Sequence, residues 1–162
     1  MLDFLDTSNN LANPRPSWDE YFIEIAFVAS KRSHDPQTKH GSVIVNKENI
    51  IMGVGYNGFP KGRDELKLCN VRPGKYLLIN HAEANAIANC LVKPKVEDKA
   101  RCYISGFPCI DCVKQLYLNN IKTIIHADRQ GSAIFTAEYW QQWFAVVEYL
   151  GMDIRRLPPT KI

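Results

Sequence analysis

The chain has 162 residues, 46% hydrophobic and 23% charged, which suits one globular domain that buries about 70% of the surface its unfolded form exposes. With 20 basic and 17 acidic residues the formal charge is +3, and with no dense Lys/Arg run this argues against a nucleic-acid partner. No apolar run approaches the ~20 residues of a membrane span, and Met1 to Asn13 lacks the basic-then-apolar layout of a secretion signal, so the five cysteines point to a reducing, cytoplasmic setting.

Residues 1–16 read as an N-terminal tail closed by the loop Asn13-Pro14-Arg15-Pro16, and 17–160 as a single domain. Ser17-Trp18-Asp19-Glu20 has the spacing of a capping box, so a helix is expected to start there. Tyr21 to Ala29 is apolar except for Glu24, which predicts a helix covered on most sides and ending near Ser33. Ser42–Val45 and Ile50–Tyr56, joined by the short polar link Asn46–Asn49, predict a β-hairpin. Gly58 to Gly74 is rich in Gly, Pro and charge and reads as a long loop, a length usually tied to function or disorder. An alternation follows: helix Asn80–Leu91, strand Arg101–Ser105, helix Cys109–Asn119, strand Ile121–His126, helix Thr136–Leu150 and strand Met152–Leu157. Gly151 is placed to stop the last helix. Repeated β-α-β units imply parallel strands under covering helices. The expected fold is therefore α/β, a three-layer α/β/α sandwich with a mixed sheet of about five strands, in which only the opening hairpin must be antiparallel. Trp140, Trp143, Phe144 and Val147 fall at helical spacing, as either core or a subunit interface.

The chemistry concentrates in two short segments, His81-Ala82-Glu83 and Pro108-Cys109-Ile110-Asp111-Cys112. Zinc takes Cys sulfur and His nitrogen, and catalytic zinc sites keep one position open for water. Cys109 and Cys112 are i, i+3 at a helix start, so they share a face, and the helix N-terminus favours thiolate. Crossovers between parallel strands bring helix starts to one edge of the sheet, so His81 can meet both sulfurs. Residues two apart on a helix do not face the same way, so Glu83 is expected beside the metal as a proton shuttle and not as a fourth ligand. Two thiolates cancel the charge of Zn²⁺, which leaves the shuttle more work than at a three-histidine site. Exclusion of water should raise the Glu83 pKa. A redox pair or half of a structural zinc site remains the competing reading of Cys-x-x-Cys, although a redox pair needs no His-x-Glu partner upstream.

The stretches His81-Ala82-Glu83-Ala84-Asn85-Ala86-Ile87 and Phe107-Pro108-Cys109-Ile110-Asp111-Cys112 carry the H-x-E…P-C-x-x-C pattern of zinc deaminases. Two more segments narrow the match: Arg32-Ser33-His34-Asp35-Pro36 followed by Gly41–Val45, and Gly55-Tyr56-Asn57-Gly58-Phe59-Pro60. From about Tyr21 to Leu157 the chain resembles the deoxycytidylate (dCMP) deaminases of the zinc-dependent cytidine deaminase superfamily. The resemblance implies a cytidine deaminase-like fold, Zn²⁺ as cofactor and a deoxycytidine nucleotide as the small-molecule partner. It implies hydrolysis at C4 of the cytosine ring, turning dCMP into dUMP for thymidylate supply. Glu83 would take the water proton, give it to ring N3, and then protonate the departing ammonia. Asn57 would bind the nucleoside, the Ala82 N–H the base carbonyl, and a backbone carbonyl at Phe107 or Pro108 the amino group. Arg32 is the candidate for the phosphate, since its fork matches phosphate oxygens. Family members are commonly hexamers, and many respond allosterically to dCTP and dTTP with Mg²⁺.

Two departures stand out. His40 precedes Gly41 where the family often has an apolar residue, and the loop Ala127-Asp128-Arg129-Gln130-Gly131 lacks the family's common tyrosine. Arg129 could there reach further phosphates, making conversion of dCTP to dUTP an additional expected activity. The segment between Gly58 and Asn80 has no Cys/His-rich insertion, so no second zinc is expected. The alternatives are a base deaminase acting on RNA, which should show a clearer basic surface, and a non-catalytic zinc-binding module.

Overall fold

Ser17 and Glu20 cap the first helix reciprocally, as their spacing predicts. The Glu20 N–H donates to Ser17 Oγ at 3.2 Å, and the Ser17 N–H donates to Glu20 Oε2 at 2.7 Å. The computed structural model describes residues 15–60, 62, 69–127 and 135–157. Most of the expected tail, much of the loop after Gly58 and Arg129 lie outside the described residues.

Helix α1 (Trp18–Ser30) buries Phe22, Ile23, Ala26 and Ser30 on one stripe. Its other side leaves Trp18, Tyr21 and Val28 exposed, so the expectation of cover on most sides does not hold within this chain: the helix meets the sheet along one face only. Strands β1 (Gly41–Val45) and β2 (Ile51–Tyr56) form the predicted hairpin. A short 3₁₀ turn, Gly74–Leu77, leads to helix α2 (Ala82–Ala88). This helix stops before the expected Leu91 because its last turn tightens, with the Cys90 N–H bonding to Ile87 O at 3.2 Å. Then come β3 (Arg101–Ile104), α3 (Ile110–Leu118), β4 (Thr123–His126), α4 (Ala137–Leu150) and β5 (Asp153–Arg156). Gly151 closes α4 at φ 60, a left-handed value that glycine adopts without strain.

The five strands run in the order β2-β1-β3-β4-β5. β3, β4 and β5 are parallel, but β1 is antiparallel to β3 as well as to β2. The expectation that the hairpin alone supplies antiparallel pairing is thus corrected: the chain leaves β2, crosses β1 through α2, and enters β3 on the far side. β2 and β3 consequently point the same way, and α2 and α3 both begin at the edge where those strands end.

Alternate residues sort to the two faces of the sheet. Val43, Val45, Tyr103 and Ile125 pack under α1. Ile44, Cys102, Ile104 and Ile124 pack with Ala86 of α2, Val113 and Leu116 of α3, and Val146, Val147 and Leu150 of α4. On α4 the predicted aromatic stripe divides, with Trp143 buried and Phe144 exposed. The three layers expected from the sequence are therefore α1, the mixed sheet, and α2 with α3 and α4.

Two glycines set the depth at which α2 rests. A Cβ on Gly53 would lie 2.5 Å from Ala86 O, and one on Gly55 would lie 2.3 Å from Ala86 N. Helix backbone lies directly on strand backbone here. Gly55→Ala is expected to push α2 off the sheet, costing about 2–3 kcal/mol as overpacking does. Chemical denaturation would register that loss, and unchanged stability would contradict the close approach.

Candidate metal centre

His81 and Cys109 occupy equivalent places, each the last extended residue before a helix. Their backbones match, at φ −71, ψ 158 and φ −74, ψ 167. Each carbonyl accepts the first helical bond, from Asn85 N–H at 3.1 Å and Val113 N–H at 3.0 Å. Neither side chain caps its own helix, which frees both to point across. Cys112 lies one turn into α3. His81 Nδ1 is 3.5 Å from Cys109 Sγ and 3.3 Å from Cys112 Sγ, and the three donor atoms all lie within 4.8 Å of one another. A tetrahedral zinc with ordinary bond lengths holds N and S ligands about 3.5 Å apart, so the donor set fits in type and spacing. No fourth side chain joins this group among the described residues.

The Cys112 thiol and the His81 ring beside Cys109 hold its thiol well below the usual range. The same contact with Cys109, together with burial, pushes Cys112 up. Hydrogen bonding to Cys109 raises His81 to about 9, against the opposing effect of burial. Zinc takes neutral imidazole and thiolate, so its uptake by these side chains releases protons from His81 and Cys112. Below about pH 9 the imidazole proton competes with the metal. Zinc affinity is therefore expected to climb as pH rises from 6 to 9, as read by chelator competition; a flat profile would contradict this.

Glu83, the second residue of α2, is 4% exposed, and burial pushes its carboxyl above the usual range, as the sequence predicts. It lines a cavity of about 760 Å³ together with His81, Ala82 and Cys109. Ala82 begins α2, so its N–H has no acceptor within the helix. Phe107 lines the same cavity and lies in an aromatic cluster with His126, Trp140 and Trp143. Pro108 is outside the lining; its carbonyl accepts the Trp143 indole N–H at 2.9 Å.

Asn57 is buried at the cavity wall. Its Nδ2 donates to Asp35 Oδ2 at 3.3 Å and Thr38 O at 2.9 Å, and its Oδ1 accepts the His40 N–H at 2.8 Å. One Oδ1 lone pair is left over. Arg32 is exposed and outside the lining. Arg72 is there instead, with Nη2 3.1 Å from Thr38 Oγ1 and its guanidinium 6.0 Å from the Tyr76 ring centroid.

Sequence reasoning missed Arg72, Lys75 and Tyr139. The first two lie in or beside a stretch read only as loop, and no periodicity marks them. Tyr139 Oη accepts the Ile110 N–H at 3.0 Å. With Trp143 on Pro108, α4 grips the chain on both sides of Cys109.

The sequence model described as "Cytidine and deoxycytidylate deaminase zinc-binding region" matches residues 16–128. A deoxycytidylate deaminase of Homo sapiens is 40% identical over 115 residues, 67% of this chain and 63% of the relative. The match thus spans less than two thirds of that relative's length. A deoxycytidylate deaminase of Mycobacterium phage D29 is 33% identical over 69% of this chain and 95% of its own. Among solved structures, dCMP deaminase from the cyanophage S-TIM5, in complex with dCMP and dUMP, superposes with TM-score 0.70. The identity is 23%, covering 90% of this chain and 100% of that one, which establishes the shared fold.

Proposed function

The chain belongs to the cytidine and deoxycytidylate deaminase zinc-binding family, and from that premise we propose that it hydrolyses dCMP to dUMP and ammonia. The observation that carries this reading is Glu83, a buried carboxyl on the wall of a nucleotide-sized cavity beside a His/Cys/Cys donor set. Zinc held by His81, Cys109 and Cys112 would supply the Lewis acidity that makes water a nucleophile near neutral pH.

Glu83 takes one proton from the attacking water and delivers it to ring N3, then takes the remaining proton from the hydroxyl now on C4 and delivers it to the amine, which leaves as ammonia as the C4–N bond breaks and the carbonyl forms. Its burial favours the neutral form, so it takes a proton up readily at neutral pH. The Ala82 N–H holds the base carbonyl and the Phe107 carbonyl receives the exocyclic amine. Pro108 serves the reaction less directly, its carbonyl being engaged by Trp143. The remaining lone pair of Asn57 Oδ1 accepts from the nucleoside.

For the phosphate, Arg32, which lies outside the cavity lining, is a weaker candidate than Arg72, which lines the cavity with its guanidinium steadied by Thr38 and Tyr76. A charge-assisted hydrogen bond contributes about 1.5–3 kcal/mol. Arg72→Ala is therefore expected to raise KM for dCMP by about 10- to 100-fold, with a smaller effect on cytidine, in steady-state ammonia release. Equal effects on both would remove Arg72 from the phosphate.

The deciding experiment is ammonia release from cytidine, dCMP and dCTP, each with and without dTTP and Mg²⁺, beside an RNA stem-loop. Turnover of dCMP above cytidine supports the reading, and conversion of RNA alone overturns it. The same assay tests dCTP use and effector response with Mg²⁺. We also carry a hexamer and a cytoplasmic setting as part of this reading. Among the described residues no helix is long and apolar enough to cross a membrane.

A further inference from the structure

Lys75 is 2% exposed, and so is its partner Asp35, which makes them an ion pair almost wholly removed from water. Such a pair is weak evidence for stability. Desolvation costs several kcal/mol per ion, and well-packed apolar residues often serve as well. The explanation has to lie in what the pair organises.

Asp35 follows α1, Asn57 follows β2, and Lys75 sits in the 3₁₀ turn that leads to α2. All three line the cavity. Both Asp35 oxygens are in use. Oδ1 accepts the N–H groups of Gln37 at 2.8 Å and Thr38 at 3.1 Å. Oδ2 accepts from Lys75 Nζ and from Asn57 Nδ2. Burial acts to raise the Asp35 carboxyl, but Lys75 and the two backbone N–H groups hold it below the usual range. The ionised carboxylate in turn admits only one orientation of the Asn57 amide. A flipped amide would set Oδ1 against Asp35 and the Thr38 carbonyl, and Nδ2 against the His40 N–H.

We infer that Lys75 is a positioning residue for the substrate: by keeping Asp35 charged inside the protein, it fixes Asn57 with Oδ1 toward the nucleoside. This rests on the deaminase reading above. Lys75 itself touches neither the reacting atoms nor the metal ligands, so its effect belongs in KM and not in kcat.

The test uses Lys75→Met and the double variant Asp35→Asn/Lys75→Met, each with zinc content, Tm, kcat and KM for dCMP. Lys75→Met strands a buried carboxylate and lowers Tm. It should raise KM about tenfold, the scale of one lost hydrogen bond, with kcat and zinc content close to wild type. The double variant leaves no buried charge, so Tm should recover. Asp35→Asn keeps an acceptor for Gln37 and Thr38 but removes the second carboxylate oxygen, so KM should stay high. Recovery of both Tm and KM in the double variant would mean that the pair is structural, and the inference fails. If Lys75→Met does not fold, the double variant alone decides. Wild-type protein that releases no ammonia from dCMP sinks the deaminase reading, and the inference with it. Wild-type turnover combined with an unchanged KM in Lys75→Met sinks the inference alone.

Discussion

Glu83→Gln keeps its zinc and loses at least ~10²-fold in kcat, the low end of what a positioned general acid–base group contributes. The substitution is nearly isosteric, so a site with 4% exposure can accept it without a cavity. An amide cannot carry the proton from water to N3. Glu83 is also outside the donor set of His81, Cys109 and Cys112, so metal content has no reason to fall. Metal analysis alongside ammonia release separates the two effects. Full turnover by this variant would exclude the shuttle role.

Cys112→Ala behaves in the opposite way, losing metal, activity and stability together. Cys112 is the buried member of the His/Cys/Cys donor set, placed one turn inside α3 beside Val113, where it would couple a bound metal to the core. A ligand that binds only the folded state adds about 4 kcal/mol at a thousandfold excess over its Kd. Its loss should lower Tm on the order of 10 °C for a chain of this size. Chelation of the wild type should reproduce the shift, and Glu83→Gln should not. A Cys112→Ala variant with normal zinc content would dismantle the proposed centre.

The elements that could be read from the sequence were those written in short-range pattern. The capping box at Ser17, the hairpin around Asn46–Asn49 and the helix stop at Gly151 each depend on a few adjacent residues, and each forms as expected. The centre was legible for a related reason. His81 and Glu83 sit in one short motif, Cys109 and Cys112 in another, and a parallel topology carries both helix starts to one edge. Pairing between β1 and β3 was not legible, because no local feature says which strand a crossover passes over. Arg32 looked suited to phosphate by type alone. Its exposure depends on how α1 ends, and Arg72 reaches the cavity only through a loop whose path has no periodicity. Asn57, singled out from its motif, does lie at the cavity wall, but three of its four hydrogen-bonding capacities serve the protein itself, and that count depends on Asp35, Thr38 and His40 meeting in space.

The match to the zinc-binding-region model ends at residue 128, yet two of the contacts that steady Cys109 come from beyond it. Tyr139 and Trp143 brace residues 110 and 108 like a pair of fingers around the intervening thiol. A fragment trimmed to residues 16–128 would retain His81, Glu83, Cys109 and Cys112, but one thiol would swing without its brace. Measured by metal retention, the smallest working unit therefore extends through the last helix, past the zinc-binding region itself.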